Sequence, residues 1–356
     1  MTTSGDDMSE INVFCDFHHQ GLLRSLVLLF ENRLGMNLYR PIGMDWYYNK
    51  YWDLNGLEVT AHQYLNMSYL KNIDGTPYVN QSISLEDGVH TILDSGNTTT
   101  HKAIEFNAFI EKKFDFVIAT VPDHIQLFKN LIREYQPSAK LIVQMGNNWG
   151  ESFADGHNLL ASIKDRGWKN TNAVYYHQEF DTNIYKPIDE FGFNKISSYI
   201  NVIENNRGWE DFVNLEKLLQ PQGVEFRSYG GQCRDGAFAS GTMELSNSMQ
   251  NNDFIFHVKH GGDGYGHILY NAYACGKPTI IRSSYYKDCL GEELFNSDNC
   301  IDLDTMSLED ASIKIKEIIL NKDCLKQMSD AAYKSFTDHV DFAQDAEKVQ
   351  KWLANL

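Results

Sequence analysis

"HVKHGGDGYGHILYNAYACGKPTII", residues 257–281, places five glycines and three histidines between two apolar stretches. "DFIFHVK" (253–259) runs into it with the length and composition of a buried strand. An apolar helix over His267–Cys275 follows, with Gly276 as its stop and Pro278 preventing continuation, and "KPTIIRSS" (277–284) is the next strand. In parallel sheets ligands bind beyond the carboxyl ends of strands, where corners of this kind lie. Glycines there let the backbone approach a ligand, and the following helix aims free N–H groups and its positive dipole end at the same place. A phosphate is the natural occupant. Asp263, His267 and Asn271 form one polar file, four apart, beside an apolar file of Ile268, Ala272 and Cys275, as suits a helix lining a cleft. The competing reading of the loop alone is a glycine-rich turn capped by Asp263, with a solvated helix face.

The same alternation continues in both directions. "INVFCDF" (11–17), "NLYRPI" (37–42), "FDFVIATV" (114–121), "AKLIVQMG" (139–146) and "NAVYYHQEF" (172–180) read as strands, with helices over Leu22–Leu34, stopped by Gly35, and Asp123–Glu134. Residues 44–100 are dense in Tyr, Trp, Asn and Gly and show no clear period. Past a polar linker, "DTNIYKPIDEFG" (181–192), a second series begins: strands at "SSYINVIE" (197–204), "VEFRSYG" (224–230) and "CIDLD" (300–304), with helices over Gly208–Leu219 and Thr242–Gln250 and from about Ser307. The expected fold is α/β, two doubly wound Rossmann-like domains facing a cleft. Residues 1–185 are expected to form the first domain, 186–335 the second, and 336–356 a terminal helix packing back toward the first.

Composition narrows the partners. A chain of 356 residues with 42% hydrophobic and 22% charged residues suits a two-domain globular protein. No stretch is apolar enough to span a bilayer. The N-terminal "MTTSGDDMSE" reads as neither signal nor transit peptide, and six cysteines without a CxxC pair suit buried thiols in a reducing compartment, so the expected location is cytoplasmic. A net charge of -17, with no dense basic run, disfavours nucleic acid and anionic membranes as partners.

"DGYGHILYNAYACGKP" (263–278) resembles the donor-binding region of GT-B glycosyltransferases, particularly the retaining type related to glycogen synthase and sucrose synthase. That pattern is an acidic residue, Gly-Phe-Gly, a second Glu eight positions after the first, then Ala-x-Ala-x-Gly-x-Pro. Arg207-Gly208 in "NNRGWEDFVNLEKLL" falls where the family has a basic residue before glycine, and "HHQGLLRSLVLLFENRLG" (18–35) is similar to its first loop and helix. The resemblance implies transfer of a sugar from a nucleotide-diphosphate sugar to a hydroxyl acceptor, a glycan or small molecule, with no cofactor and no metal. Donor contacts fall on Gly21, Arg207, Lys259, Gly264, Tyr265, Gly266, His267 and Asn271, and catalytic ones on Asp263 and His18 or His19. The chain departs from the family at two positions: Asp263 is shorter than Glu, and Asn271 replaces the Glu that contacts ribose hydroxyls. Exchanging a charged for a neutral acceptor costs about one order of magnitude in donor affinity.

The chemistry has two requirements. Charge building on the leaving diphosphate is met by Arg207, Lys259 and the helix start at Gly264–Gly266, through preorganised electrostatics. The acceptor proton points to His18 or His19, neighbours that face opposite ways on an extended strand, with His18 favoured. In retaining relatives the leaving phosphate takes that proton, so stereochemistry stays open. The "DLD" at 302–304 reads as a strand end, and "EE" at 292–293 as a solvated helix start. The rival functions are a nucleotide-sugar epimerase or hydrolase on the same fold, a non-catalytic carbohydrate- or nucleotide-binding descendant, and a transferase acting on DNA bases.

Overall fold

A computed structural model describes residues 10–16, 20–41, 81–94, 99–146, 153–206, 208–236 and 242–356. Strands β1 (Asn12–Cys15), β2 (Asn37–Pro41), β3 (Gln81–Glu86), β4 (Val89–Asp94), β5 (Thr99–Ile104), β6 (Phe116–Ala119), β7 (Lys140–Met145), β8 (Asn158–Ala161) and β9 (Asn172–Tyr175) build one sheet, in the order β3-β4-β5-β2-β1-β6-β7-β8-β9. From β5 to β9 every pair is parallel. Strands β1 and β6, "NVFC" and "FVIA", are buried at every position, as central strands covered on both faces must be. Helix α1 (Gln20–Val27) continues as a π-helix over Leu28–Arg33 and ends before Gly35, whose φ of 64° a side chain would resist. Helices α2 (Phe106–Glu111) and α3 (Pro122–Tyr135) follow, the latter opened by proline in its first turn.

The second sheet holds β10 (Lys195–Ser198), β11 (Glu225–Ser228), β12 (Phe254–Phe256), β13 (Thr279–Ile281) and β14 (Cys300–Asp302), all parallel, in the order β11-β10-β12-β13-β14. Its helices are α4 (Gly208–Leu219), α5 (Thr242–Gln250), α6 (His267–Ala274) and α7 (Leu308–Leu320). Ser307 caps α7 by accepting from the Asp310 N–H. Helix α8 (Lys322–His339) ends at an extended Val340, and Asp341 caps α9 (Phe342–Leu353). Val349, Trp352 and Leu353 of α9 join Val13, Leu22 and Ile118 in a core beneath the first sheet, so the end of the chain returns to where it began. Among the described residues no helix is long and apolar enough to cross a membrane.

Four differences from the sequence reading have physical causes. The first sheet is mixed, because β3 and β4 add an antiparallel edge to β5. Strand β8 had no sequence signal beyond "NLLA", too short to separate from a loop. The strand expected at 197–204 sits at Lys195–Ser198. Past Asn201 the chain turns through Val202, at φ 55°, whose N–H is taken by the Gly231 carbonyl. The terminal helical region is two helices, broken at 340–341.

Candidate functional site

In the second sheet the order reverses between β10 and β12, the crevice where open α/β sheets hold ligands. Two loops meet there. Asn206 Oδ1 accepts from the Gly208 N–H at 3.1 Å and from the His260 N–H at 3.0 Å, tying the loop after β10 to the loop after β12. Helix α4 starts on Gly208, where a Cβ would lie 1.8 Å from the Val258 carbonyl oxygen. Only glycine lets helix and strand approach this closely, and the helix start brings its positive dipole end with it. Val202, a β-branched residue in the left-handed region, lies in the same loop. Backbone strain of this kind concentrates at ligand sites.

The 257–266 corner is held from below. Tyr286 donates its hydroxyl hydrogen to the His257 carbonyl and accepts from the Lys259 N–H at 3.2 Å. Gly261 and Gly262 are both left-handed. A Cβ on Gly262 would meet the Tyr285 carbonyl oxygen at 2.4 Å, whereas one on Gly261 meets nothing within 4 Å. One face of the corner is thus sealed and the other open. Asp263 is hydrogen-bonded to His257 Nε2 at 2.7 Å and ion-paired with Lys259. Burial works to raise its pKa, but the hydrogen bond from His257 and the charges of His257 and Lys259 outweigh it and hold the carboxyl well below the usual range.

The two sheets present their carboxyl ends to each other. The Tyr265 N–H donates to the Gly146 carbonyl, just past β7, at 2.8 Å. Past β8, Lys164, Asp165 and Arg166 share a cavity of about 660 Å³ with His260 and Gly261 of the corner and with Ser284, Tyr285 and residues 287–289 beyond β13. In the first sheet the order reverses between β1 and β6. There Asp16 accepts from the Thr120 N–H at 2.6 Å through one oxygen and is hydrogen-bonded to His124 Nδ1 through the other. Both side chains are buried.

No protein-family model matches the chain, and no curated protein matches it in sequence. Solved structures match it in shape. HepE of Anabaena, in complex with UDP and glucose, superposes with a TM-score of 0.62 at 11% identity, over 98% of this chain and 100% of that one. Sucrose-phosphate synthase of Thermosynechococcus elongatus gives 0.59 at 8% identity, over 97% and 99%. An alpha-glucosyltransferase in complex with UDP and a mismatched DNA 13-mer gives 0.60 at 12% identity, over 97% and 99%.

The fold is GT-B. Within it the residues singled out from the sequence are distributed as follows. His18, His19 and Arg207 lie outside the described residues. Gly21 is the second residue of α1. Lys259, Asp263, Gly264 and Gly266 belong to the corner, with Lys259 spent on Asp263 and Gly266, at φ 87°, leading into α6. The Tyr265 ring is 2% exposed and stacks on Tyr270 at 4.4 Å, so its contacts are with the protein core. His267 opens α6 edge-on to Tyr265. Asn271 is 6% exposed, and its Oδ1 has no hydrogen-bond donor among the described residues.

Several residues of this GT-B core carried no sequence signal. Asp16 and His124 are 108 positions apart and meet only through the β1–β6 pairing. His177, after β9, is hydrogen-bonded to Asp345 of α9 at 2.7 Å and to Glu293 at 3.0 Å, and Tyr270 donates to the same Glu293 at 2.7 Å. Burial alone would lower the His177 pKa, but the two carboxylates raise it to about 9. Glu293 is therefore no solvated helix start but part of a latch joining both sheets and α9. Glu292 behaves closer to expectation, pairing at the surface with Lys164 at 2.6 Å. In the "DLD" segment Asp302 accepts the Ser283 N–H and Asp304 the Ser284 N–H, staples of the strand end. Among the described residues no cluster of three His, Cys, Asp or Glu could hold a metal.

Proposed function

We propose that the protein is a glycosyltransferase that moves a sugar from a nucleoside-diphosphate sugar to a hydroxyl acceptor. One observation carries the reading. The reversal point of the second sheet is built from a glycine-opened helix and a glycine corner held together by Asn206, and it faces the carboxyl ends of the first sheet. That is a pyrophosphate site in its backbone geometry. The UDP complexes of HepE and of the alpha-glucosyltransferase on the same fold support a nucleotide donor.

In this reading the diphosphate lies against the start of α4, where Arg207 adds charge, with Lys259 and the corner alongside. Stabilisation of the leaving group then comes from side chains and N–H groups without a metal. The buried Asn271 Oδ1 accepts from a ribose hydroxyl, which relieves a desolvated acceptor that otherwise costs about 1–3 kcal/mol. The first domain presents the acceptor, with His18 or His19 as the base. A second reading, nucleotide binding without transfer, is favoured by the closure of Asp263 onto His257 and Lys259.

A thermal-shift screen of nucleoside diphosphates and their sugars tests the site. A ligand at a hundred times its dissociation constant stabilises the fold by about 2.7 kcal/mol. Arg207→Ala weakens nucleoside diphosphates and leaves nucleosides unaffected; equal losses for both contradict the diphosphate role. Donor binding with no turnover on any acceptor, and no donor hydrolysis, selects the second reading.

A further inference from the structure

We infer that the cavity between the two sheets is a subsite for a sugar or polyol bearing one anionic group, phosphate or carboxylate, and that this is the acceptor of the proposed transfer. The inference rests on that transfer reading for the word acceptor, but not for the binding itself. A volume of about 660 Å³ suits a small molecule. The walls come from both halves of the chain: Lys164 to Arg166 after β8, His260 and Gly261 in the corner, and Ser284, Tyr285 and residues 287–289 after β13.

The charges on those walls are unevenly committed. Lys164 is held by Glu292 at 2.6 Å, and one oxygen of Asp165 accepts the N–H groups of Gly167 and Trp168 at 2.8 and 3.1 Å. Arg166 has no hydrogen-bond or ion-pair partner among the described residues, and its Nε is buried. A guanidinium with a desolvated N–H needs an acceptor, and its planar fork fits a phosphate or carboxylate through two bonds. Lys287, on the same wall, likewise has no ion-pair partner among the described residues. Asp288 also faces the cavity, and a carboxylate there repels a bare anion but accepts from hydroxyls. The combination of a free fork, a second cation and a carboxylate selects a ligand with hydroxyls at one end and a single anionic group at the other.

The cavity is separate from the reversal point. His260 turns its N–H toward Asn206 there, while Gly261 opens on the other side of the corner. Among the described residues, none of β10, of α4 or of the loop between them lines the cavity.

Isothermal titration of the full chain with glucose 6-phosphate, glucuronate, glucose and UDP tests this. At least one of the two anionic sugars binds tenfold or more tightly than glucose, and which of them does so identifies the anionic group. Arg166→Ala loses about tenfold on that ligand, Arg166→Lys recovers part of it, and UDP affinity is the same in all three proteins. Thermal midpoints confirm that the variants are folded. The inference is overturned if neither anionic sugar exceeds glucose. It is also overturned if Arg166→Ala weakens glucose and the anion alike, or if it weakens UDP, which would make the cavity part of the donor site. Failure of every nucleoside diphosphate in the thermal-shift screen to bind the wild type sinks the transfer reading and leaves the anion comparison to stand or fall by itself.

Discussion

The latch at His177 gives a pH dependence that can be worked out in advance. Its imidazole lies between Asp345 and Glu293 with a pKa of about 9, against 6.5 in an unfolded chain. A raised folded-state pKa means that the folded chain holds the proton more tightly. The stabilisation is therefore complete below the unfolded value and lost as pH rises through the folded one. A difference of 2.5 units corresponds to roughly 3 kcal/mol below pH 6, about half of that at pH 8, and almost nothing above pH 10. Lys277 runs the opposite way: burial lowers its pKa from 10.5 to about 8, so stability rises with pH across that window. The two trends mask each other in the wild type alone. The informative quantity is the difference between wild type and His177→Gln, in which Lys277 cancels. Urea unfolding at pH 6, 8 and 10 measures it. The variant is expected to be less stable by a few kcal/mol at pH 6, with the gap narrowing steadily toward pH 10. A gap that stays constant across this range would mean that His177 packs but does not carry the charge between the two carboxylates, and the reasoning would fail.

Two further outcomes follow from backbone and hydrogen-bond geometry. Gly208→Ala forces a methyl to 1.8 Å from the Val258 carbonyl oxygen, so helix α4 or strand β12 must shift. The expected loss is about 1–3 kcal/mol in chemical denaturation, together with weaker nucleoside-diphosphate binding, and a neutral effect on both would show that the two loops are not in contact. Asp16→Asn removes the buried charge and leaves one acceptor oxygen where there were two, so His124 must change tautomer or lose this bond, for a loss of about 1–3 kcal/mol by the same measurement. A destabilisation near zero would place the pair in solvent.

How much of this was legible from residues alone depends on the range over which each feature is determined. The second series was readable because its determinants are local. Gly208–Leu219 and Thr242–Gln250 begin and end where their patterns and breakers do, and Ser307 caps α7 from three residues away. The strand at 195–198 was displaced because its end is fixed by Gly231, which accepts the Val202 N–H from another loop. The antiparallel edge β3–β4 was illegible because its residues, "QSISLE" and "VHTILD", alternate too weakly to mark a buried face.

The site divides along the same line. The glycine corner could be found because a left-handed backbone and a close approach each demand a particular residue at a particular place, as at Gly262 and Gly208. Charged residues carry no such local signature, since what a lysine or aspartate does depends on which partner the fold brings to it. Lys259 reads as a diphosphate contact and Asp263 as a catalytic residue, yet they pair with each other four residues apart. No sequence pattern marks Arg166, yet among the described residues the fold leaves it without a partner beside a cavity. In a chain with 48 acidic and 31 basic residues, Arg33, Arg227, Arg234 and Arg282 each find a carboxylate. An acidic surface also repels an anionic ligand at a distance, although screening confines that repulsion to about 8 Å at physiological salt. Attraction must therefore come from the few cations left uncommitted inside the cleft. The excess of acid over base, read at first as evidence against nucleic acid, is thus also what makes an unpaired guanidinium informative.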